Sequence, residues 1–277
     1  MKKRTKYIFM ACVFFVGLSV LLYPSISDFV NEKTQSAAIA AYDEQVAQID
    51  EADYDRYFEA ADDYNAKLAR EPDALYAPDA IDGYEETLDI SGTGIMGYVT
   101  IEKLGVRLPI YHGTDATVLE IACGHLKGSS LPVGGESTHA VLSAHRGLPS
   151  AKLFTDLDKM EVGDTFTVTV LNRVLTYEVD QISIVKPTET EALQIEQGKD
   201  YCTLMTCTPY GINTHRLLVR GHRIASEETR TTYVANEAFK IKPILVASVI
   251  AVPMLLAFVL WVLFGSAGKK GEKTDED

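Results

Sequence analysis

Residues 244–264, ILVASVIAVPMLLAFVLWVLF, run for 21 positions without a charge. A helix of that length, at 1.5 Å per residue, crosses the hydrocarbon of a bilayer. Soluble helices almost never lack polar residues on every side. The stretch therefore reads as a transmembrane helix, which Pro253 kinks rather than forbids. A second charge-free run, residues 8–23 (IFMACVFFVGLSVLLY), follows MKKRTK. The residues after it, PSISDFVNEK, offer no good small-x-small cleavage site, and SAAIAA lies too far downstream. An uncleaved anchor is thus preferred to a signal peptide. Lys2, Lys3, Arg4 and Lys6 flank the first run, and Lys269, Lys270 and Lys273 follow the second. The positive-inside rule then puts both termini in the cytoplasm and everything between the two spans outside.

That outward part is acidic. The chain carries 26 Lys and Arg against 39 Asp and Glu. Four of the basic residues precede the first span, and three bases and four acids follow the second, leaving 19 against 35 between them. Such a surface argues against nucleic acid or anionic lipid as the main partner.

The spacing divides the chain further. A basic start and first membrane segment (1–26) lead to an Ala-, Asp- and Glu-rich region (27–70). Its apolar residues recur at three- and four-residue steps, as in one or two amphipathic helices. They form either a solvated stalk or a helical pair packed on the next domain. Two prolines in EPDALYAPDAIDGYEE then break the helix into an acidic loop (71–93). From Gly94 the texture becomes β-prone: IMGYVTI, VRLPIYH, HAVLSAH, TFTVTVL, RVLTYEVDQISIV, CTLMTC and RLLVRGHRI. Asn172-Arg173 would form a hairpin turn, and one short helix is expected near 117–122. Seven or so strands over 94–228 without βαβ alternation indicate a mostly β barrel or sandwich. A linker (229–242), the second span (243–264) and a tail (265–277) complete the chain. There is no internal repeat and no phosphate-cradling glycine loop.

Of the four cysteines, Cys12 lies in the first apolar run, leaving Cys123, Cys202 and Cys207 outside. An odd number leaves at least one unpaired. Cys202 and Cys207, five apart in one strand, would be separated by roughly 16 Å and point to opposite faces. A disulfide needs about 7 Å or less. No CxxC or HxxxH spacing suggests a metal, and no cofactor is implied. A free outward thiol in TLMTCTPYGINTHR suits nucleophilic catalysis, which needs a cationic neighbour and a donor for the developing oxyanion. His145 ends the run HAVLSAH before a turn, where a side chain can emerge at a barrel rim. His215 has nearly as good a claim on spacing. Arg216 opens the strand after the Pro-Tyr-Gly turn, and a hairpin would return it beside Cys207. Arg220 and Arg223 lie further along.

TLMTC matches the TLxTC signature of sortases, membrane-bound cysteine transpeptidases of Gram-positive bacteria. The longer runs TLMTCTPYGINTHRLLVRGHR, GIMGYVTIEKLGVRLPIYHGT and LSAHRGLPSAKLFTDLDKMEVGD, with the C-terminal membrane helix, resemble the class C, pilin-polymerising group. The resemblance implies an eight-stranded β-barrel with short helices. It implies Cys207 as nucleophile, His145 as acid/base partner and Arg216 as oxyanion- or substrate-positioning cation. Thr206 and Leu204 would line the bound sorting peptide. The implied partners are a pilin or surface protein with an LPxTG-like signal and a lysine of another pilin. The family's lid carries an Asp-Pro-aromatic tip. This chain has Tyr76, Ala77, Pro78 and Asp79 there, keeping the proline but not the Asp and aromatic around it. Alternatives are a sortase that anchors proteins to a cell-wall peptide amine, a plain cysteine peptidase, and a non-catalytic binder of sorting signals.

Overall fold

Eight strands form in the β-prone half: β1 (Ile95–Ile101), β2 (Val106–His112), β3 (Cys123–His125), β4 (Thr138–Ser143), β5 (Thr165–Val170), β6 (Arg173–Val185), β7 (Asp200–Thr208) and β8 (His215–Ile224). They close in the order β1-β2-β3-β4-β7-β8-β6-β5, and β5 pairs back on β1. This computed structural model describes residues 2–71 and 73–225; the expected linker, second membrane helix and tail lie outside the described residues. Two neighbours in the barrel are parallel, β2 with β3 and β4 with β7. The β4–β7–β8 run positions the candidate site.

Seven of the strands coincide with the seven β-prone runs. β3 has only three residues, too few for an apolar–polar alternation to register in the sequence. The short helix α3 (Ala116–Leu119) precedes it. The β5–β6 hairpin differs from expectation by one residue: Val170 pairs with Arg173, so the turn is Leu171-Asn172 and not Asn172-Arg173. Tertiary contacts override the local preference of Asn for turns. Leu171 takes a positive φ of 51° and is 4% exposed, and its N–H donates to the Tyr42 hydroxyl at 2.8 Å. Inside the barrel the rings of Phe166 and Tyr177 stack 5.5 Å apart beside Gly221. A Cβ at Gly221 would lie 2.8 Å from the Phe166 ring, so a side chain there has no room.

Helix α1 (Lys2–Val46) contains Pro24 without ending at it, so the chain is helical straight through the expected boundary near residue 26. Its N-terminal part holds an 18-residue window of mean hydropathy 2.1, none of it buried, and is long and apolar enough to cross a membrane. Further along, Ile39, Tyr42 and Val46 recur at three- and four-residue steps and are buried. Tyr42 donates its hydroxyl to the Met96 carbonyl at 3.1 Å. Helix α2 (Glu51–Leu68) buries Phe58, Ala61, Tyr64, Asn65 and Leu68 along one face. Asn65 is bonded both ways to the backbone of Leu131, donating to its carbonyl (3.2 Å) and accepting from its N–H (2.7 Å). The helices are a packed pair, because both faces join the main apolar core.

Tyr84, from the acidic loop, inserts beside His125 on β3. Its hydroxyl lies 2.9 Å from His125 Nδ1, while Nε2 faces the Ser130 carbonyl at 2.8 Å. Nε2–H donates to Ser130, the Tyr84 hydroxyl also donates to the His125 carbonyl at 3.1 Å, and it is burial that keeps the ring neutral. Burial holds its pKa down to about 4. The unfolded chain takes a proton near 6.5 while the folded chain refuses it until about 4. Stability from this group is therefore complete above pH 6.5 and lost as pH falls through that window. A slope of up to about 1.4 kcal/mol per pH unit is expected. Urea midpoints of the detergent-solubilised chain between pH 6.5 and 5, where carboxylates titrate little, check this. A flat profile would count against the neutral ring.

Candidate active site

Along β7 the side chains alternate, and the alternation sorts the two cysteines. Cys202 and Leu204 face the barrel interior with no exposure, and Thr206 (1%) and Thr208 (7%) share that side. Cys207 faces outward, half-buried, on the same side as Met205. Cys123, Cys202 and Cys207 are all free. Burial pushes the thiols of Cys123 and Cys202 far above the ordinary thiol range, which leaves them inert.

The neighbouring strands fix what flanks Cys207. On β8, Arg216 is its direct antiparallel partner, and Leu218 is that of Met205. On β4, Ser143 is the parallel partner of Met205. The Ala144 N–H donates to the Met205 carbonyl at 3.2 Å, which carries the ladder one step further and brings His145 level with Cys207. Registered residues share a face, so the half-buried His145 and Arg216 stand on either side of the thiol. Thr206 lies beneath, donating its hydroxyl to the Ala144 carbonyl at 2.8 Å. Leu204 is also beneath, in the barrel core. Both residues therefore support the site from inside and offer it no open surface.

The other histidines are accounted for elsewhere. His112, His125 and His139 are buried with both ring nitrogens at polar partners. Burial lowers the pKa of His139 as it does that of His125. His222 lies across from Tyr201 and Glu178 near the far end of β8. His215 pairs with Thr208, so it occupies the opposite face from Arg216, and its Nδ1 lies 2.9 Å from the Thr214 hydroxyl.

The arginines separate as clearly. Arg220 is held by Asp180 (3.0 Å) and Glu196 (3.2 Å). Arg223 lies over the Tyr177 ring at 5.8 Å. Arg216 has no ion pair among the described residues; its Nη1 donates only to the carbonyls of His215 (3.2 Å) and Asn213 (3.4 Å). A guanidinium bonded to its own loop keeps its charge available to an incoming anion.

An apolar floor continues from Met205 over Val141, Leu218 and Leu193, with Leu75, Leu126 and Val185 packed against it. Leu75 belongs to the acidic loop. The loop is tied down just after that contact. The Tyr76 hydroxyl lies 2.6 Å from that of Thr190, and Asp79 pairs with Lys127 at 2.6 Å. Pro78 between them is half-buried. The tie formed by Tyr76 and Asp79 uses other chemistry than an Asp-Pro-aromatic tip.

A thiol flanked by an imidazole and an unpaired guanidinium can lose its proton, attack an acyl carbon and have the resulting oxyanion met by a cation. Nothing in the spacing singles out Arg146 or Tyr210, yet both lie against this site. The HRG run around Arg146 was the available signal.

Known proteins match this chain in sequence and in fold. The sortase domain family matches residues 99–224. Sortase D of Bacillus subtilis (strain 168) is 32% identical over 131 residues, 46% of this chain and 63% of its own length, so the chain spans just under two thirds of that relative. The crystal structure of sortase C1 from Streptococcus agalactiae is 49% identical with a TM-score of 0.63, covering 69% of this chain and all of that one. Sortase C of Streptococcus pneumoniae, described with its pilin substrate specificity, is 46% identical with a TM-score of 0.63, covering 69% of this chain and 97% of its own. Barrel, thiol and sequence agree, and the chain belongs to the sortase family of cysteine transpeptidases, in its class C.

Proposed function

We propose that this protein assembles pili, cutting an LPxTG-like sorting signal on a pilin and joining the new carboxyl end to a lysine of the next subunit. The observation that carries the reading is the position of Cys207 on β7, level with His145 on one side and paired with Arg216 on the other. Cys207 as thiolate attacks the carbonyl carbon of the threonine in the signal. The C–N bond breaks, and His145 protonates the departing amine. The threonine is left as a thioester on Sγ. The lysine amine then attacks that thioester, His145 accepts its proton, and the C–S bond breaks to release the isopeptide and regenerate the thiolate. Arg216 faces the oxyanion in both steps. Thr206 and Leu204 hold the β7 backbone beneath the peptide.

The acidic loop is the lid in this reading. Leu75 rests on the apolar floor that continues to Met205, and Tyr76 and Asp79, on either side of the half-buried Pro78, hold it there. The first apolar run anchors the chain in the membrane. The charge pattern supports a second span at 243–264, cytoplasmic termini and an outward catalytic domain.

Incubating the full chain with candidate pilins and mapping the products by mass spectrometry tests the function. An acyl adduct on Cys207 and a threonine–lysine isopeptide between subunits are expected. Hydrolysed threonine ends alone would make the protein a peptidase, and transfer only to a cell-wall peptide amine would make it an anchoring sortase.

A further inference from the structure

We propose that Arg146 is a positioning residue for the transfer reaction, tying the loop that carries His145 to the end of β7 so that the imidazole stays level with Cys207. The inference rests on the roles given above to Cys207 and His145.

The reason lies in where the ladder stops. β4 ends at Ser143, and the last bond to β7 is Ala144 N–H to Met205. The next backbone bond is local: the His145 carbonyl accepts the Phe154 N–H at 3.1 Å, within the same loop. The strand pairing therefore leaves His145 just beyond its reach. The following side chain spans the gap. Arg146 Nη2 donates to the Asp158 carboxylate at 2.5 Å, and Nη1 donates to the Thr208 hydroxyl at 3.4 Å. Thr208 is the residue after Cys207, and Asp158 lies in the 3-10 turn Leu157–Lys159 at the far end of the His145 loop. The Arg146 side chain is only 9% exposed.

The other face of the clamp is aromatic. The Tyr210 ring lies 5.9 Å from the Arg146 guanidinium and directly against the backbone of Gly147. A Cβ at 147 would come within 2.9 Å of that ring, and φ there is +78°, so glycine meets both demands. Gly147 N–H also donates to the Thr155 hydroxyl at 3.1 Å. Loops 144–158 and 208–210 are thus closed on each other around one guanidinium. A partly buried ion pair gives back much of its attraction as desolvation cost, so geometry and not stability is what this pair most clearly supplies. Lysine carries the charge but has no planar fork to hold Asp158 and Thr208 together.

The test compares the full chain with Arg146→Gln, Arg146→Lys, Asp158→Asn and His145→Ala. Three quantities are read: peptide-transfer kinetics, thermal midpoint, and the pH dependence of Cys207 alkylation by iodoacetamide, followed on the Cys207 peptide by mass spectrometry. An imidazolium held beside the thiol favours the thiolate, so the alkylation midpoint reports where His145 stands. In Arg146→Gln, kcat is expected to fall on the order of 10²-fold with KM changed by no more than about twofold. Its alkylation midpoint should move in the same direction as in His145→Ala. Asp158→Asn should shift both in the same direction by less. Should Arg146→Gln not fold, Arg146→Lys reads the same midpoint. A lowered thermal midpoint with kcat and alkylation unchanged would leave Arg146 a structural residue and overturn the inference. An unchanged rate and midpoint in His145→Ala would instead overturn the reading on which it rests.

Discussion

Cys207→Ala is expected to lose transfer by on the order of 10⁴-fold or more, with no acyl adduct, while the barrel remains folded. The chemical part of this follows from the choice of thiol. Cys123 and Cys202 are fully buried, and burial holds both in the neutral form, so neither can take over the attack. Cys12 lies in the apolar run of α1. The structural part follows from place. Cys207 is half-buried on the outer face of β7, and its loss opens no cavity in the core cluster, which contains Cys202 and Leu204 from the other face. A stability change within about 1 kcal/mol is expected. Circular dichroism and the thermal midpoint check the fold, and peptide transfer with intact-mass analysis checks the chemistry. Persistent polymerisation in the variant would remove Cys207 from the mechanism.

His145→Ala is expected to cost about 10²- to 10⁴-fold in kcat/KM, the range of a general acid–base group, whereas His215→Ala should change it by only a few-fold. His215 lies eight residues after the thiol and His145 follows the neighbouring strand β4, so residue type alone does not separate them. Register does. His145 extends the β4 ladder to the level of Cys207, while His215 is the partner of Thr208 and occupies the opposite face from Arg216. Comparable losses in the two variants would mean that the proton is carried from the other face of the strand.

The strands were legible because period-two alternation bounded by turn residues leaves a mark of six residues or more in the sequence. β3, with three residues, leaves none, and it is held in place by β2 and β4 on its two sides. The β5–β6 turn was legible as a turn but not to the residue. Asn172 is the better turn former, yet burial of Leu171 and its bond to Tyr42 from α1, 129 residues away in the chain, decided the register. Separation in sequence likewise hides the acidic-loop contacts: Leu75 packs against the cluster of Val141, Leu193 and Leu218, Tyr76 meets Thr190, and Asp79 pairs with Lys127.

The sequence by itself determined that an apolar first segment precedes an acidic, mostly β domain, and that a thiol stands at the end of one of its strands. The motifs around that thiol also carried the family. These are local properties, set by composition and by the period of side chains along one strand. The strand register added which histidine and which arginine fall level with Cys207, that Leu204 and Thr206 lie on the inner face of β7, and that Arg146 bridges two loops. Those depend on which strands are neighbours and in what register. A shift of one residue would turn every side chain of β4 or β8 to the other face of the barrel wall.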